Sequence, residues 1–236
     1  MPKVNKNSLL EAVELLILAL LVLNASRIYM RQHMNDMAIS AGDPHVVIQR
    51  QEDKKICLSF DDGPDPRYTP QLLDGLAKRG AKASFFLTGK NAERYPKLVK
   101  RIYDEGHLIG NHTYSHIQLT KSNRDSFKKE LIRTNEIISG ITGEEVVFVR
   151  PPYGTWDKSF EEELNMFPVL WNIDPLDWSR RDASRIVRDV ISKARENAII
   201  LMHDEYPSTV KAALQIVDEL QKQGYEFVTV EEIMFD

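Results

Sequence analysis

Residues 55–64 have the sequence KICLSFDDGP, in which a short apolar run, Ile56–Phe60, ends at two adjacent carboxylates, Asp61 and Asp62. A run of this length, bounded by charged and turn-forming residues, is typical of a buried strand. The Gly-Pro pair that follows favours a turn rather than a continuation of the strand. The stretch therefore predicts a buried strand that ends in an acidic loop.

Six more short apolar runs follow along the chain, separated by longer segments with helix signals. They are Ala83–Leu87, His107–Gly110, Val146–Val149, Phe167–Trp171, Ala198–Met202 and Glu226–Val228. Strand–helix alternation repeated about seven times predicts an α/β fold with a mostly parallel sheet. The spacing alone allows either a closed barrel or an open, doubly wound sheet.

Residues that begin and end helices lie between these runs. The predicted N-caps are Thr69 (followed by Pro70), Asp182 and Ser208. The predicted helix ends are Gly80, Gly106 and Gly224. Such caps suit a helix after each strand, because N-cap side chains and C-terminal glycines satisfy the free backbone groups of helix ends.

Composition and charge exclude some classes of protein. The 236 residues carry a formal net charge of −4, and basic residues form no dense block, so no nucleic-acid partner is expected. The single cysteine, Cys57, excludes an intrachain disulfide. Because Cys57 lies within the first apolar run, we predict a buried structural thiol rather than a nucleophile.

The N-terminus has the features of a targeting segment. Lys3 and Lys6 precede an apolar stretch, Leu9–Leu23, that two glutamates interrupt and that is marginal for a membrane span of roughly 20 residues. We predict a signal-anchor in residues 1–25, a polar stalk in 26–52 and a catalytic domain in 53–236. The alternatives are a signal peptide cleaved after Ala25, which would give a secreted protein, and an amphipathic or buried helix of a cytoplasmic protein.

Polar side chains follow the predicted strands at the point where each strand ends. They are Asp61 and Asp62, His112 and His116, Arg150, Asp174 and Asp177, and His203 and Asp204. Because the carboxyl ends of parallel strands share one face of the sheet, five chain-distant clusters should converge on one cleft.

Two of these clusters suggest a metal site. His112 and His116 are four residues apart, so on a helical turn both imidazoles would lie on one face. A catalytic zinc ion commonly takes two histidines and a carboxylate, which Asp61 or Asp62 can supply. The other carboxylate is then free to accept a proton from water. Taken singly, the histidines also suit surface positions, and the Asp-Asp-Gly-Pro segment suits a plain turn.

Five motifs in order resemble those of the polysaccharide deacetylases, which are carbohydrate esterase family four with a NodB-like domain. They are Ser59-Phe60-Asp61-Asp62-Gly63-Pro64, His112-Thr113-Tyr114-Ser115-His116, Arg150-Pro151-Pro152-Tyr153-Gly154, Asp174-Pro175-Leu176-Asp177-Trp178 and Leu201-Met202-His203-Asp204. The resemblance implies a distorted (β/α) barrel, in agreement with the seven apolar runs.

The resemblance also implies a role for each matching residue. The metal ligands would be Asp62, His112 and His116, holding zinc or, alternatively, cobalt, manganese or nickel. The catalytic groups would be Asp61 as general base, Arg150 as its partner, His203 as general acid and Asp177 as the partner of His203. The substrate contacts would be the Tyr153 backbone N–H at the oxyanion, and Trp178 and Leu201 around the acetyl methyl.

The function expected from this resemblance is hydrolysis of the acetamide of N-acetylglucosamine in an extracellular polysaccharide, foremost peptidoglycan. Chitin-like oligomers and acetylated xylan are alternative substrates within the same family. A non-catalytic carbohydrate-binding protein and a cytoplasmic metallohydrolase are alternatives from other classes. We expect a monomer that meets the membrane through its N-terminal helix.

Overall fold

The computed structural model describes residues 54–235, an α/β domain built on one sheet of seven strands. The strands are β1 (Lys54–Asp61), β2 (Ala83–Leu87), β3 (Leu108–Asn111), β4 (Phe148–Val149), β5 (Phe167–Pro168), β6 (Ala198–His203) and β7 (Tyr225–Phe227). The helices are α1 (Thr69–Ala77), α2 (Gly89–Arg94), α3 (Pro96–Asp104), α4 (Arg124–Thr142), α5 (Ser159–Leu164), α6 (Asp177–Arg180), α7 (Ala183–Ile191), α8 (Pro207–Gln221) and α9 (Val230–Phe235). The predicted anchor and stalk lie outside the described residues.

All pairings between the strands are parallel, as the alternation of strands and helices predicted. The order across the sheet is β5-β4-β3-β2-β1-β6, and β7 pairs with the first residues of β1. A single parallel bridge, Ile173 to Ile200, joins the segment after β5 to β6. Within residues 54–235 the sheet therefore curls into an incomplete barrel, because this bridge and the hydrogen bonds beside it, rather than a full strand pairing, connect its two edges.

Strands β4 and β5 are shorter than the apolar runs that predicted them. The Val169 N–H still donates to the carbonyl of Val149, but the Asn172 N–H donates to the carbonyl of Ile199 on β6. The chain thus crosses from one sheet edge to the other within a few residues. This crossing ends β5 early, although its sequence remains apolar.

The two faces of β1 have different neighbours. Ile56, Leu58 and Phe60 pack into the large core with residues of the flanking helices. Cys57 belongs to a separate cluster with Phe86 and other buried residues, as expected if alternate residues face the inside of the barrel. Burial raises the pKa of Cys57 to about 12, which confirms a buried thiol with no tendency to ionise.

The predicted helix caps are confirmed only in part. Asp182 caps α7, because its carboxylate accepts the N–H groups of Ser184 and Arg185. Thr69 is the first residue of α1 rather than its N-cap, and its hydroxyl accepts the Asp65 N–H and donates to the buried carboxylate of Asp204. The Ser208 prediction was also wrong: α8 begins at Pro207, one residue earlier, so Ser208 lies inside the helix.

The predicted helix ends are confirmed by left-handed glycines. Gly80, Gly106 and Gly224 have φ angles of 61°, 75° and 82°, and each lies two or three residues after the last residue of a helix. In residues 54–235, no helix is long and apolar enough to span a bilayer.

Candidate active site

The strand ends bring the predicted site residues together. In the parallel register of β1 and β6, Asp61 lies opposite His203. Asn111 at the end of β3 lies opposite Val149, so His112 and Arg150 follow neighbouring strands at the same level. The predicted convergence of strand-end side chains is therefore confirmed for these four residues.

Asp62, His112 and His116 form a compact triad. The Asp62 Oδ1 atom lies 3.5 Å from the Nε2 atom of each histidine. One ligand atom from each residue lies within 4.8 Å of the other two. This arrangement is close enough for one cation to contact all three side chains.

The donor set of this triad fits a divalent metal. Asp62 Oδ1 is buried and accepts no hydrogen bond from the residues that the structure describes, although buried oxygens are normally paired. The His112 Nδ1–H donates to the backbone carbonyl of Arg150 at 2.6 Å, so the lone pair of Nε2 faces Asp62. A carboxylate with two imidazoles is the ligand set of catalytic zinc, which keeps a position open for water.

Burial also keeps His112 in the form that binds metals. Removal from water lowers the pKa of His112, and this effect outweighs the carboxylates of Asp61 and Asp62, which raise it. A neutral imidazole is the metal-binding form. His116 is more open, with about a third of its side chain exposed, so the triad has one accessible side.

The four-residue spacing suggested that the two histidines lie on a helical turn, but the structure shows that they do not. They lie in an irregular loop after β3, in which Thr113 and His116 have left-handed φ angles of 62° and 61°. Reversal of the backbone at these two residues, rather than a helical repeat, turns both imidazoles toward Asp62. The N–H of Thr113 is held at 2.8 Å by the side-chain oxygen of Asn111.

Asp61 and Arg150 form an ion pair inside the domain. The Arg150 Nη1 atom lies 2.8 Å from Asp61 Oδ1, and the arginine side chain is fully buried. The same nitrogen donates to the Ser59 hydroxyl at 2.7 Å, and Nε donates to the carbonyl of Val169. The guanidinium carbon lies 4.1 Å from the centre of the Phe86 ring. These contacts fix Asp61 in one orientation.

His203 and Asp177 form a second pair next to the first. The His203 Nδ1–H donates to Asp177 Oδ1 at 2.9 Å, while Asp177 Oδ2 accepts the His203 backbone N–H and the Thr209 hydroxyl. Burial by itself lowers the pKa of His203. The hydrogen bond and charge of Asp177, with smaller contributions from Asp61 and Asp62, outweigh burial and raise this pKa to about 9. His203 is therefore charged at neutral pH.

The three predicted substrate contacts lie at different depths. Tyr153 is 66% exposed, has a left-handed φ of 59° and places its ring 5.1 Å from that of His116. Trp178 is 52% exposed on α6, directly after Asp177. Leu201 is only 5% exposed within β6. Tyr153 thus lies beside the triad at the surface, whereas Leu201 lies beneath the surface on the strand that ends at His203.

Sequence reasoning assigned no role to several residues that hold this site. Ser59 links β1 to β6, because its hydroxyl donates to the carbonyl of Ile200 and accepts from Arg150. The position of Ser59 within the apolar run Ile56–Phe60 could have indicated a buried hydrogen-bonding role. Asp204 is buried below the acidic loop, where a Cβ on Gly63 would lie 2.6 Å from its Oδ1, and burial raises its pKa to about 7.

Comparison with known proteins agrees with this geometry. A family model described as polysaccharide deacetylase matches residues 48–169. The chain belongs to the polysaccharide deacetylase family. The matched residues include the first three of the five motifs, whereas the motifs at residues 174–178 and 201–204 lie beyond the match.

Several polysaccharide deacetylases are similar to this chain. A peptidoglycan-N-acetylglucosamine deacetylase of Bacillus cereus is 40% identical, over 75% of this chain and 66% of its own length. The peptidoglycan-N-acetylglucosamine deacetylase PgdA of Listeria monocytogenes is 37% identical, over 79% of this chain and 40% of its own length. The chain thus spans less than two thirds of either relative. The solved structure of the peptidoglycan deacetylase PdaC of Bacillus subtilis has a TM-score of 0.74 and 38% identity, and the match covers 77% of this chain and 90% of that one.

The buried ion pair yields a prediction about stability. Arg150→Met should lower the free energy of unfolding of the metal-free protein by about 3–5 kcal/mol, because Asp61 is left buried without its cation. The matched control is Arg79→Met, whose partner Asp218 is 44% exposed, and it should cost about 0–1 kcal/mol. Urea denaturation measures both values. Equal losses in the two variants would contradict a special role for the buried pair.

The second pair yields a prediction about protonation. In Asp177→Asn, the anion that raises the pKa of His203 is absent while burial remains, so this pKa should fall from about 9 to below its ordinary range. NMR titration of the His203 imidazole in metal-free protein measures the change. Asp174→Asn is the control, because Asp174 bonds to the backbone N–H of Leu176. A His203 pKa that stays near 9 without Asp177 would show that another group holds the charge.

Proposed function

We propose that this chain is a metal-dependent hydrolase that removes acetyl groups from N-acetylglucosamine units of peptidoglycan and releases acetate. The observation that carries the proposal is the register of β1 and β6, which sets Asp61 opposite His203. Each of these residues has a partner of opposite charge, Arg150 and Asp177 respectively. In this proposal, Asp61 as base and His203 as acid act beside the triad that would hold the metal.

The metal would be held by Asp62, His112 and His116, with zinc proposed and cobalt, manganese or nickel as alternatives. When bound, the cation supplies a Lewis acid for the amide carbonyl and makes water a stronger acid. The protein's own contribution is to keep His112 neutral and to leave one side of the triad open to substrate.

Asp61 acts as the general base in this proposal. Its Oδ1 is occupied by Arg150, while Oδ2 lies 3.8 Å from His112 Nε2 and so faces the triad. Oδ2 is therefore the atom that accepts the proton of the attacking water. Arg150 keeps the carboxylate oriented through its hydrogen bond to Oδ1.

His203 acts as the general acid. Its Nδ1–H is held by Asp177, so Nε2–H is the proton available to substrate. As the carbon–nitrogen bond of the acetamide breaks, this proton goes to the nitrogen and the sugar amine leaves. An amine leaves poorly without a proton, which explains why a histidine that is charged at neutral pH suits this position.

Three further residues are proposed to contact the substrate. The Tyr153 backbone N–H would donate to the developing oxyanion, beside the His116 ring. Trp178 and Leu201 would border the acetyl methyl, with Trp178 at the open surface and Leu201 at the base of the pocket. Apolar side chains suit a methyl group, because its burial releases ordered water.

Peptidoglycan is the proposed polymer because relatives in the polysaccharide deacetylase family carry that substrate in their names. The motifs define an acetyl-hydrolysing centre, whereas the surrounding loops select the polymer. N-deacetylation also agrees with a general acid that carries its proton at neutral pH, since an alcohol leaves an ester with less help than an amine leaves an amide.

Acetate release tests this function. We expect the full chain to release acetate from peptidoglycan, chelation to abolish the release, and zinc or cobalt to restore it. Asp61→Asn should retain the metal but lose most turnover, on the order of 100-fold or more, because water loses its base. His116→Ala should lose the metal while the fold survives. Parallel assays on chitooligosaccharides and acetylxylan identify the preferred acetyl donor.

Each other outcome of that assay identifies an alternative. Release from acetylxylan alone would make the protein an O-deacetylating esterase. Absence of acetate from every polymer, in a metal-loaded folded protein, would overturn the hydrolase proposal in favour of a carbohydrate-binding role. Full activity in metal-free protein would overturn the metal assignment.

We also propose that Leu9–Leu23 anchors the chain in a membrane, with residues 26–52 as a stalk and residues 53–236 as the catalytic domain outside the cell. The support is the order of basic, apolar and polar segments in the sequence. An anchor at the cell surface would keep the catalytic domain close to an extracellular polymer.

Cell fractionation tests the anchor. The full chain should sediment with membranes, whereas a chain that begins at Gln51 should be soluble and should release acetate at the same rate from soluble chitooligosaccharides. If cells that express the full chain secrete a shortened, soluble protein, a cleaved signal peptide is indicated. An unfolded shortened chain would mean that the N-terminal segment belongs to the core.

A further inference from the structure

The segment between the two metal-triad histidines has an unfavourable backbone. Thr113 and His116, at its start and end, have left-handed φ angles of 62° and 61°. A non-glycine residue in this region is energetically disfavoured and persists only where surrounding groups hold it. We name residues 113–116 the histidine loop. Its conformation decides whether both imidazoles reach Asp62.

One carboxylate binds the histidine loop from the side of α4. Glu130 Oε2 accepts the backbone N–H groups of Tyr114 at 3.1 Å and Ser115 at 2.9 Å. Glu130 Oε1 accepts the Ser115 hydroxyl at 2.6 Å. A single half-buried side chain thus satisfies three consecutive donors of the histidine loop, and hydrogen bonds to an ionised acceptor are among the stronger ones in proteins.

The other side of the histidine loop is bound by α2. The carbonyls of Thr113 and Tyr114 accept the N–H groups of Gly89 and Lys90 at 2.9 and 3.0 Å. A side chain at position 89 has no room, because a Cβ there would lie 2.5 Å from Thr134 Oγ1 on α4. The histidine loop is therefore held between α2, which binds its carbonyls, and α4, which binds its N–H groups.

We propose that Glu130 is a positioning residue of the metal site, which sets metal affinity by holding the histidine loop. The inference rests on the proposed triad of Asp62, His112 and His116. The hydrogen bonds of Glu130 go to the loop backbone and to Ser115. Without Glu130, the loop would relax from its left-handed conformation, and metal binding would have to restore it. Part of the binding free energy would then be lost, as with other residues that orient metal ligands.

Zinc titration of the full chain against a competing chelator tests this inference. Glu130→Gln keeps the size of the side chain but replaces the ionised acceptor by a neutral amide with a single oxygen. We expect its zinc dissociation constant to rise by about 10- to 100-fold, the usual effect of changing a residue that orients metal ligands. Ser115→Ala removes one of the three hydrogen bonds and should give a smaller rise.

Glu136→Gln is the matched control. Glu136 lies on the same helix and is exposed, and the same change of charge there should leave the dissociation constant unchanged. At saturating zinc, the kcat of Glu130→Gln should return close to that of the wild type, because Glu130 holds the loop and takes no part in the reaction. A general loss of structure would not be rescued in this way.

A folded Glu130→Gln variant that binds zinc as tightly as the wild type would overturn the inference, whether or not it releases acetate. If that variant does not fold, Ser115→Ala decides: a raised dissociation constant supports the inference and an unchanged one overturns it. The proposed function fails by a different result. It fails if the wild type binds zinc tightly, and loses affinity in Glu130→Gln, yet releases no acetate.

Discussion

The site depends on one buried cation, the guanidinium of Arg150. Burying a charge costs several kcal/mol unless a partner and hydrogen bonds compensate, and Arg150 finds these in Asp61, Ser59 and the carbonyl of Val169. The backbone carbonyl of the same residue accepts the Nδ1–H of His112. A single residue after β4 therefore orients both the proposed base and one proposed metal ligand, so the two cannot move independently.

The opposite charge pair completes the arrangement. The Asp177 carboxylate accepts hydrogen bonds from the ring and from the backbone N–H of His203. The Thr209 hydroxyl on α8 donates a third hydrogen bond to it. Asp61 has a cation as neighbour, whereas His203 has an anion. The anion beside His203 raises its pKa and keeps the acid protonated at neutral pH, while the cation beside Asp61 holds the base in place.

Much of this could be predicted from the sequence, because the responsible signals are local or periodic. Seven apolar runs predicted seven strands, and strand-end polarity predicted which residues converge. Contacts between residues that are far apart in the chain are harder to predict, because no local pattern indicates them. Glu130 has the pattern of an ordinary solvent-facing helix charge, yet it binds the histidine loop across 15 residues of chain. Thr69 has the sequence of an N-cap, but a buried carboxylate 135 residues away takes its hydroxyl.

Backbone strain is concentrated at the site: of the eight left-handed non-glycine residues in residues 54–235, three, Asn165, Arg181 and Asn197, lie outside the five motifs. Left-handed non-glycine residues occur in the loops that carry the motifs, at Asp62, Thr113, His116, Tyr153 and Leu176. Glycine would adopt these angles at lower cost, but it has no side chain to bind a metal. Asp62 and His116 therefore combine an unfavourable backbone with a required ligand atom. The rigid parallel sheet and the helix contacts around each loop supply the stability that makes this combination possible.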